Sequence, residues 1–182
     1  MKFSLFGSLP NLISLGRLLL VPAIIALIAA QRWREAFICF IVAGVSDALD
    51  GWLAKTFDLR TQLGAYLDPL ADKALLVSIY VALAIVGAIP ATIAIIVVAR
   101  DFMIVGAFMV SWFLDRPLEV RPLVISKINT LAQILFAALV LGVEGFGLAK
   151  GAWFQISLYV VAGLALASLG AYFNQWFRHM SA

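Results

Sequence analysis

Four carboxylates stand close together within residues 47–72 of this 182-residue chain, between two long apolar runs. Asp47 and Asp50 are spaced i, i+3, with Ala54 one turn further on, and Asp68 and Asp72 are spaced i, i+4. On helices, each pair shares a face. Two helix ends joined by one loop then each present two carboxylates. Such a cluster is costly, because like charges repel and a charge near lipid costs about 2.5–3.5 kcal/mol on insertion scales. Protons or bound cations must offset that cost. Ligands that are all oxygen point to hard divalent ions such as Mg2+ or Mn2+. Gly51 and Gly64 put no side chain beside the carboxylates, so a ligand can approach the backbone. These residues imply a metal site at a membrane surface that holds a phosphate or pyrophosphate. Solvated interfacial carboxylates or helix caps are the plainer alternative for any single Asp. Four at these spacings, with two glycines, favour the metal site.

The elements that must carry these residues are apolar. Hydrophobic residues make up 64% of the chain and charged residues 13%, against about 45–50% and 25% in soluble domains. Mean hydropathy is +1.06. The expectation is an all-α, polytopic membrane protein, one domain over residues 1–182, with the lipid bilayer as its surroundings. A net charge of +3, scattered along the chain, excludes a nucleic-acid partner. Cys39 is the only cysteine, so no disulfide can form within the chain. The start, Met1-Lys2-Phe3-Ser4, leads into an apolar run with no small-residue cleavage site, and no removable signal is expected.

Runs near the ~20 residues that cross a bilayer predict six transmembrane helices, at about 12–30, 36–54, 65–88, 91–114, 123–143 and 153–173. Between them lie a loop at 31–35, a polar turn at 55–64, a tight Gly87–Pro90 turn, a charged loop at 115–122 and a Gly-rich loop at 144–150. Asp68 and Asp72 fall in the first two turns of the third span, where Pro69 is tolerable. Residues 174–179 read as an interfacial anchor. Trp33, Trp112, Trp153 and Trp176 stand near span ends, as an aromatic belt does.

Polar residues within spans are functional candidates. Asn11, Ser14 and Arg17 recur every three residues and form a stripe that can face the carboxylates. Helix capping and snorkelling are the alternatives. Arg100 and Asp101 are adjacent in mid-span, where they could neutralise each other or bind a lipid phosphate. Lys127 and Thr130, with Gln133 beyond them, are read as one face of the fifth span. Loop charges set orientation. With the amino terminus inside, the inner segments hold Lys2, Lys55, Arg60, Arg116, Arg121 and Arg178, and the outer loops hold Arg32, Arg34 and Lys150. Both termini and the carboxylates are therefore expected on the cytoplasmic side.

Asp47, Asp50, Gly51, Ala54, Gly64, Asp68 and Asp72 match, in type and spacing, D-x2-D-G-x2-A-R-x8-G-x3-D-x3-D. The chain therefore resembles the CDP-alcohol phosphatidyltransferase family. Lys55 departs from it: the family usually has Arg there, and Lys lacks the planar fork that grips a phosphate twice. The resemblance implies transfer of a phosphatidyl group from CDP-diacylglycerol to an alcohol, releasing CMP. It implies two Mg2+ or Mn2+ ions held by Asp47, Asp50, Asp68 and Asp72, with Asp72 also taking the proton of the incoming hydroxyl. Asn11, Ser14, Gly51, Ala54, Lys55, Thr61 and Gly64 would meet the CDP-lipid. Arg100, Arg116, Arg121 and Lys127 would meet the acceptor's phosphate.

Leu67-Asp-Pro-Leu-Ala-Asp-Lys73, Ala99-Arg100-Asp101 and Ile125-Ser-Lys-Ile-Asn-Thr130 with Gln133 resemble CMP-forming cardiolipin synthases, which use phosphatidylglycerol as acceptor. Phosphatidylglycerolphosphate synthases, which use glycerol 3-phosphate, are the alternative. The resemblance further implies a multi-pass protein of a bacterial inner membrane and allows a homodimer. A small membrane transporter is the alternative from another class. It should show internal repeats or broken helices at mid-membrane, and the sequence shows neither.

Overall fold

A computed structural model describes residue 16 and residues 19–56, 62–113 and 123–180. Within them, the side chains at 47, 48, 50–56, 62–72, 105, 107–113, 179 and 180 fall outside the description. Every regular element among the described residues is an α-helix. The helices are α1 (Leu19–Ala29), α2 (Trp33–Thr56), α3 (Gln62–Ile85), α4 (Ala91–Phe113), α5 (Val124–Phe146) and α6 (Ala152–Met180). The all-α expectation holds. Among the described residues, two helices, at Val124–Phe146 and Ala152–Arg178, are long and apolar enough to cross a membrane.

Three helix ends close in the same way. After α1, Gln31 N–H bonds Ile28 O and Arg32 N–H bonds Leu27 O, with Gln31 at φ 54°. After α3, Gly87 N–H bonds Ala84 O and Ala88 N–H bonds Leu83 O, with Gly87 at φ 77°. After α5, Gly147 is left-handed at φ 64° and Leu148 N–H bonds Val143 O. Each satisfies carbonyls that a helix end leaves unpaired.

These closures are tighter than the sequence suggests, so several boundaries move. The expected 31–35 loop shrinks, because α2 begins at Trp33. Arg32 donates to Glu35 in that first turn at 2.9 Å, and this bond holds the exposed Glu35 carboxyl below its usual range. The expected 144–150 loop loses its first residues to α5, which runs to Phe146. The expected anchor at 174–179 is the last stretch of α6. α3 begins at Gln62 rather than near residue 65, which makes Pro69 its eighth residue. Lacking an N–H, Pro69 leaves the Ala65 carbonyl without its usual donor.

Inward stripes at three- and four-residue spacing form the core. On α2 the stripe is Ala36, Phe40 and Ala43, and on α3 it includes Leu75, Ile79 and Leu83. On α6 it is Phe154, Leu158, Val161 and Ala165, ending in buried Ser168. The outer surface is apolar too: Ile38, Val42, Phe102, Leu131, Leu135, Tyr159 and Phe173 are all exposed. Such a surface suits lipid better than water.

The end of the bundle away from residues 47–72 is clasped. Arg34 Nε donates to Gly145 O at 2.8 Å. A Cβ at Gly145 would come within 3.2–3.3 Å of the Trp33–Arg34 backbone, so the α2 and α5 backbones approach closely there. Lys150 Nζ donates to Ala88 O at 3.3 Å, pairs with Glu144 at 2.5 Å and lies 5.2 Å from the Phe154 ring centroid.

Candidate functional site

The two acidic pairs lie on the helices that the sequence implied. Positions 47 and 50 are in the helical backbone of α2, and 68 and 72 in that of α3. Position 47 continues the register of buried Phe40 and Ala43, and position 50 follows Ala43 after two turns. On α3, positions 68 and 72 stand seven residues before Leu75 and Ile79, which are buried. The backbone positions of both pairs are therefore in register with the inward stripes, at the end where α2 finishes and α3 begins. The donor set is carboxylate oxygen alone, which fits a hard divalent cation. Gly51, Ala54 and Lys55 follow on the last turns of α2, and Gly64 is on the first turn of α3. Asn11, Ser14, Thr61, Arg116 and Arg121, expected at the site, lie outside the described residues.

Arg100 is buried, at 4% exposure, as are Asp101 and Ser168. Its guanidinium donates to Asp101, to Ser126 Oγ on α5, and twice to Ser168 Oγ on α6, the shorter bond at 2.8 Å. Four of its five N–H donors are thereby used. These bonds match the reading in which Arg100 and Asp101 neutralise each other, and they tie α4 to α5 and α6. Its adjacent carboxylate offsets its charge. Three helices supply these partners, so spacing along the chain could not reveal them.

Breaking such a buried pair leaves a lone charge inside the bundle. Arg100→Gln is expected to lower stability by about 3–5 kcal/mol, read as a lower thermal midpoint in detergent. Replacing Arg100 and Asp101 together by Leu is expected to recover most of that loss. A rise in acceptor KM with unchanged stability would restore the ligand role.

Lys127 is exposed and shares its stripe with exposed Leu131 and Ile134 on the outer surface of α5. Thr130 is half-buried, and its hydroxyl donates to Ser126 O at 3.1 Å. Gln133 does not share the Lys127 face. It pairs with Asn129 on the inward stripe, which continues through Phe136, Val140 and Val143. The signal that could have separated them is periodicity: 129, 133, 136 and 140 keep the three- and four-residue steps of a core stripe, and 127 does not.

Among curated proteins, the chain is 30% identical over 183 residues to human cardiolipin synthase (CMP-forming), covering 92% of this chain and 61% of that protein. It is 32% identical to the chloroplastic CDP-diacylglycerol–glycerol-3-phosphate 3-phosphatidyltransferase 1 of Oryza sativa subsp. japonica, covering 92% of this chain and 56% of that one. The chain thus spans about three fifths of the length of these relatives. It is also 30% identical to the Bacillus subtilis CDP-diacylglycerol–glycerol-3-phosphate 3-phosphatidyltransferase, covering 92% of this chain and 94% of that protein. Residues 7–169 match the profile of the CDP-alcohol phosphatidyltransferases, a stretch that includes both acidic pairs and most of all six helices, and the chain belongs to that family.

Proposed function

We propose that this protein transfers a phosphatidyl group from CDP-diacylglycerol to a phosphate-bearing alcohol at a membrane surface, releasing CMP. The observation that carries the reading is the placement of the Asp47–Asp50 and Asp68–Asp72 pairs, at family spacing, on two successive helices. Six membrane spans with both termini cytoplasmic would put those pairs where a cytidine nucleotide is available. A bacterial inner membrane is the proposed location, and the similarity to the Bacillus subtilis enzyme supports it.

Asp47, Asp50, Asp68 and Asp72 would hold two Mg2+ or Mn2+ ions, which when bound neutralise the donor's pyrophosphate. Asp72 accepts the proton of the acceptor hydroxyl. The freed oxygen bonds to the phosphatidyl phosphorus, and the bond from that phosphorus to the CMP oxygen breaks. CMP leaves with the electron pair, and the proton passes from Asp72 to solvent. A carboxylate is a weak base for an alcohol, so positioning supplies much of the acceleration. Gly51, Ala54, Lys55 and Gly64, with Asn11, Ser14 and Thr61, contact the CDP-lipid. Arg116, Arg121 and Lys127 take the acceptor's phosphate, within a frame that Arg100 braces.

The proposed acceptor is phosphatidylglycerol, giving cardiolipin. Lys127 supports it: an ammonium on the lipid-facing stripe, one turn from the start of α5, can reach a headgroup phosphate arriving from the bilayer. Glycerol 3-phosphate is the second reading, favoured by the near full-length match to the Bacillus subtilis enzyme. The test is purified protein with CDP-diacylglycerol and each acceptor in turn, following CMP and the lipid product. CMP release with phosphatidylglycerol, yielding cardiolipin, is the expected result. Release with glycerol 3-phosphate alone selects the second reading, and release with neither rejects both.

A further inference from the structure

Asn129 and Gln133 stand one turn apart on the inward stripe of α5, 0% and 1% exposed. Neither polar atom of the Asn129 amide has a hydrogen-bond partner, and neither does Gln133 Nε2. Their surroundings are satisfied by other bonds. Tyr80 Oη donates to the main-chain carbonyl of Gln133 at 3.1 Å, Thr130 to that of Ser126, and Arg100 to Asp101, Ser126 and Ser168. The unmet demand is therefore one acceptor oxygen and two amide nitrogens. Buried polar atoms are almost always paired, so this set calls for an occupant.

Its place in the bundle suggests which one. α2 and α5 run antiparallel, since Arg34 meets Gly145 and Phe37 lies against Gly142. Sixteen residues along α2 from Arg34, and sixteen back along α5 from Gly145, position 50 comes level with Asn129. In the same register, position 46 comes level with Gln133. On α3, Tyr80 holds Gln133, and Asp72 stands eight residues nearer the acidic end, about 12 Å along the axis. The two amides thus lie level with positions 46–50 on α2, and the α3 pair stands further toward the acidic end.

The atoms select the ligand chemistry. A hydroxyl can donate to Asn129 Oδ1 and accept from Gln133 Nε2. A phosphate could only accept, and would set its charge against the Asn129 oxygen. We propose that Asn129 and Gln133 bind the second, non-reacting hydroxyl of a glycerol acceptor and so determine acceptor specificity. The assignment rests on the transferase reading above. Both candidate acceptors carry a free hydroxyl on the carbon next to the reacting one.

The test pairs each acceptor with its deoxy analogue, in the full protein with CDP-diacylglycerol and Mg2+. Phosphatidylglycerol is set against phosphatidyl-1,3-propanediol, and glycerol 3-phosphate against 3-hydroxypropyl phosphate. The wild-type kcat/KM is expected to fall about 10–100-fold with the analogue, the scale of leaving a buried polar atom unpaired. Asn129→Leu and Gln133→Leu are expected to lower kcat/KM for the natural acceptor by a similar factor, spare the analogue, and leave the KM for CDP-diacylglycerol unchanged. The ratio between acceptors within one variant does not depend on how much of that variant folds. A wild type indifferent to the second hydroxyl, or variants that lose both acceptors equally or raise the donor KM, would overturn the proposal while the transferase reading stands. No CMP release with any acceptor would overturn both.

Discussion

Asp72→Asn is expected to bind CDP-diacylglycerol in the presence of metal while turnover falls about 10²–10⁴-fold, the usual scale of general-base catalysis. The side chain keeps its size and still offers one carbonyl oxygen to a cation, but it cannot take a proton near neutral pH. Position 72 lies in the helical backbone of α3, seven residues before fully buried Ile79. A substitution there that preserves shape should leave the helix intact. Donor binding measured separately from single-turnover rates distinguishes lost chemistry from lost binding. Weak donor binding with near-normal chemistry in the bound fraction would remove Asp72 from the role of base.

Exhaustive removal of divalent metal is expected to abolish activity, with Mg2+ or Mn2+ restoring it. Asp47→Asn should reproduce a milder form of the same loss. Asp47 is proposed only as a holder of cations, so the variant should need more metal and recover part of its rate at high metal concentration. Asp72→Asn should not recover. Full activity in excess chelator rules out the proposed metal site, and equal rescue of the two variants moves the base elsewhere.

Much of this arrangement could be read locally. Asp47 with Asp50, and Asp68 with Asp72, needed only helical spacing, and α2 and α3 supply it. The Gly87–Pro90 turn announced itself by residue type, because a left-handed residue there favours glycine. Gln31 does the same work without that cue, so the 31–35 loop looked longer than it is. Arg100 was noticed, but its partners on α5 and α6 are a matter of tertiary packing. Gln133 was placed with Lys127 when its neighbours on the core stripe are Asn129 and Phe136. The error came from following polar character rather than angular position around the helix.

The clasp at the far end also has a mechanical meaning. If α2 tilts against α5, the Arg34–Gly145 bond is its pivot. Sixteen residues of helix, about 24 Å, separate that pivot from position 50. A swing of about five degrees there displaces position 50 by about 2 Å, as far as an entire Mg2+–oxygen bond. Gly145, which has no part in the proposed chemistry, lets the two backbones meet at that point. A bulkier residue at the pivot would be felt as lost alignment among the carboxylates, at the opposite end of the helix.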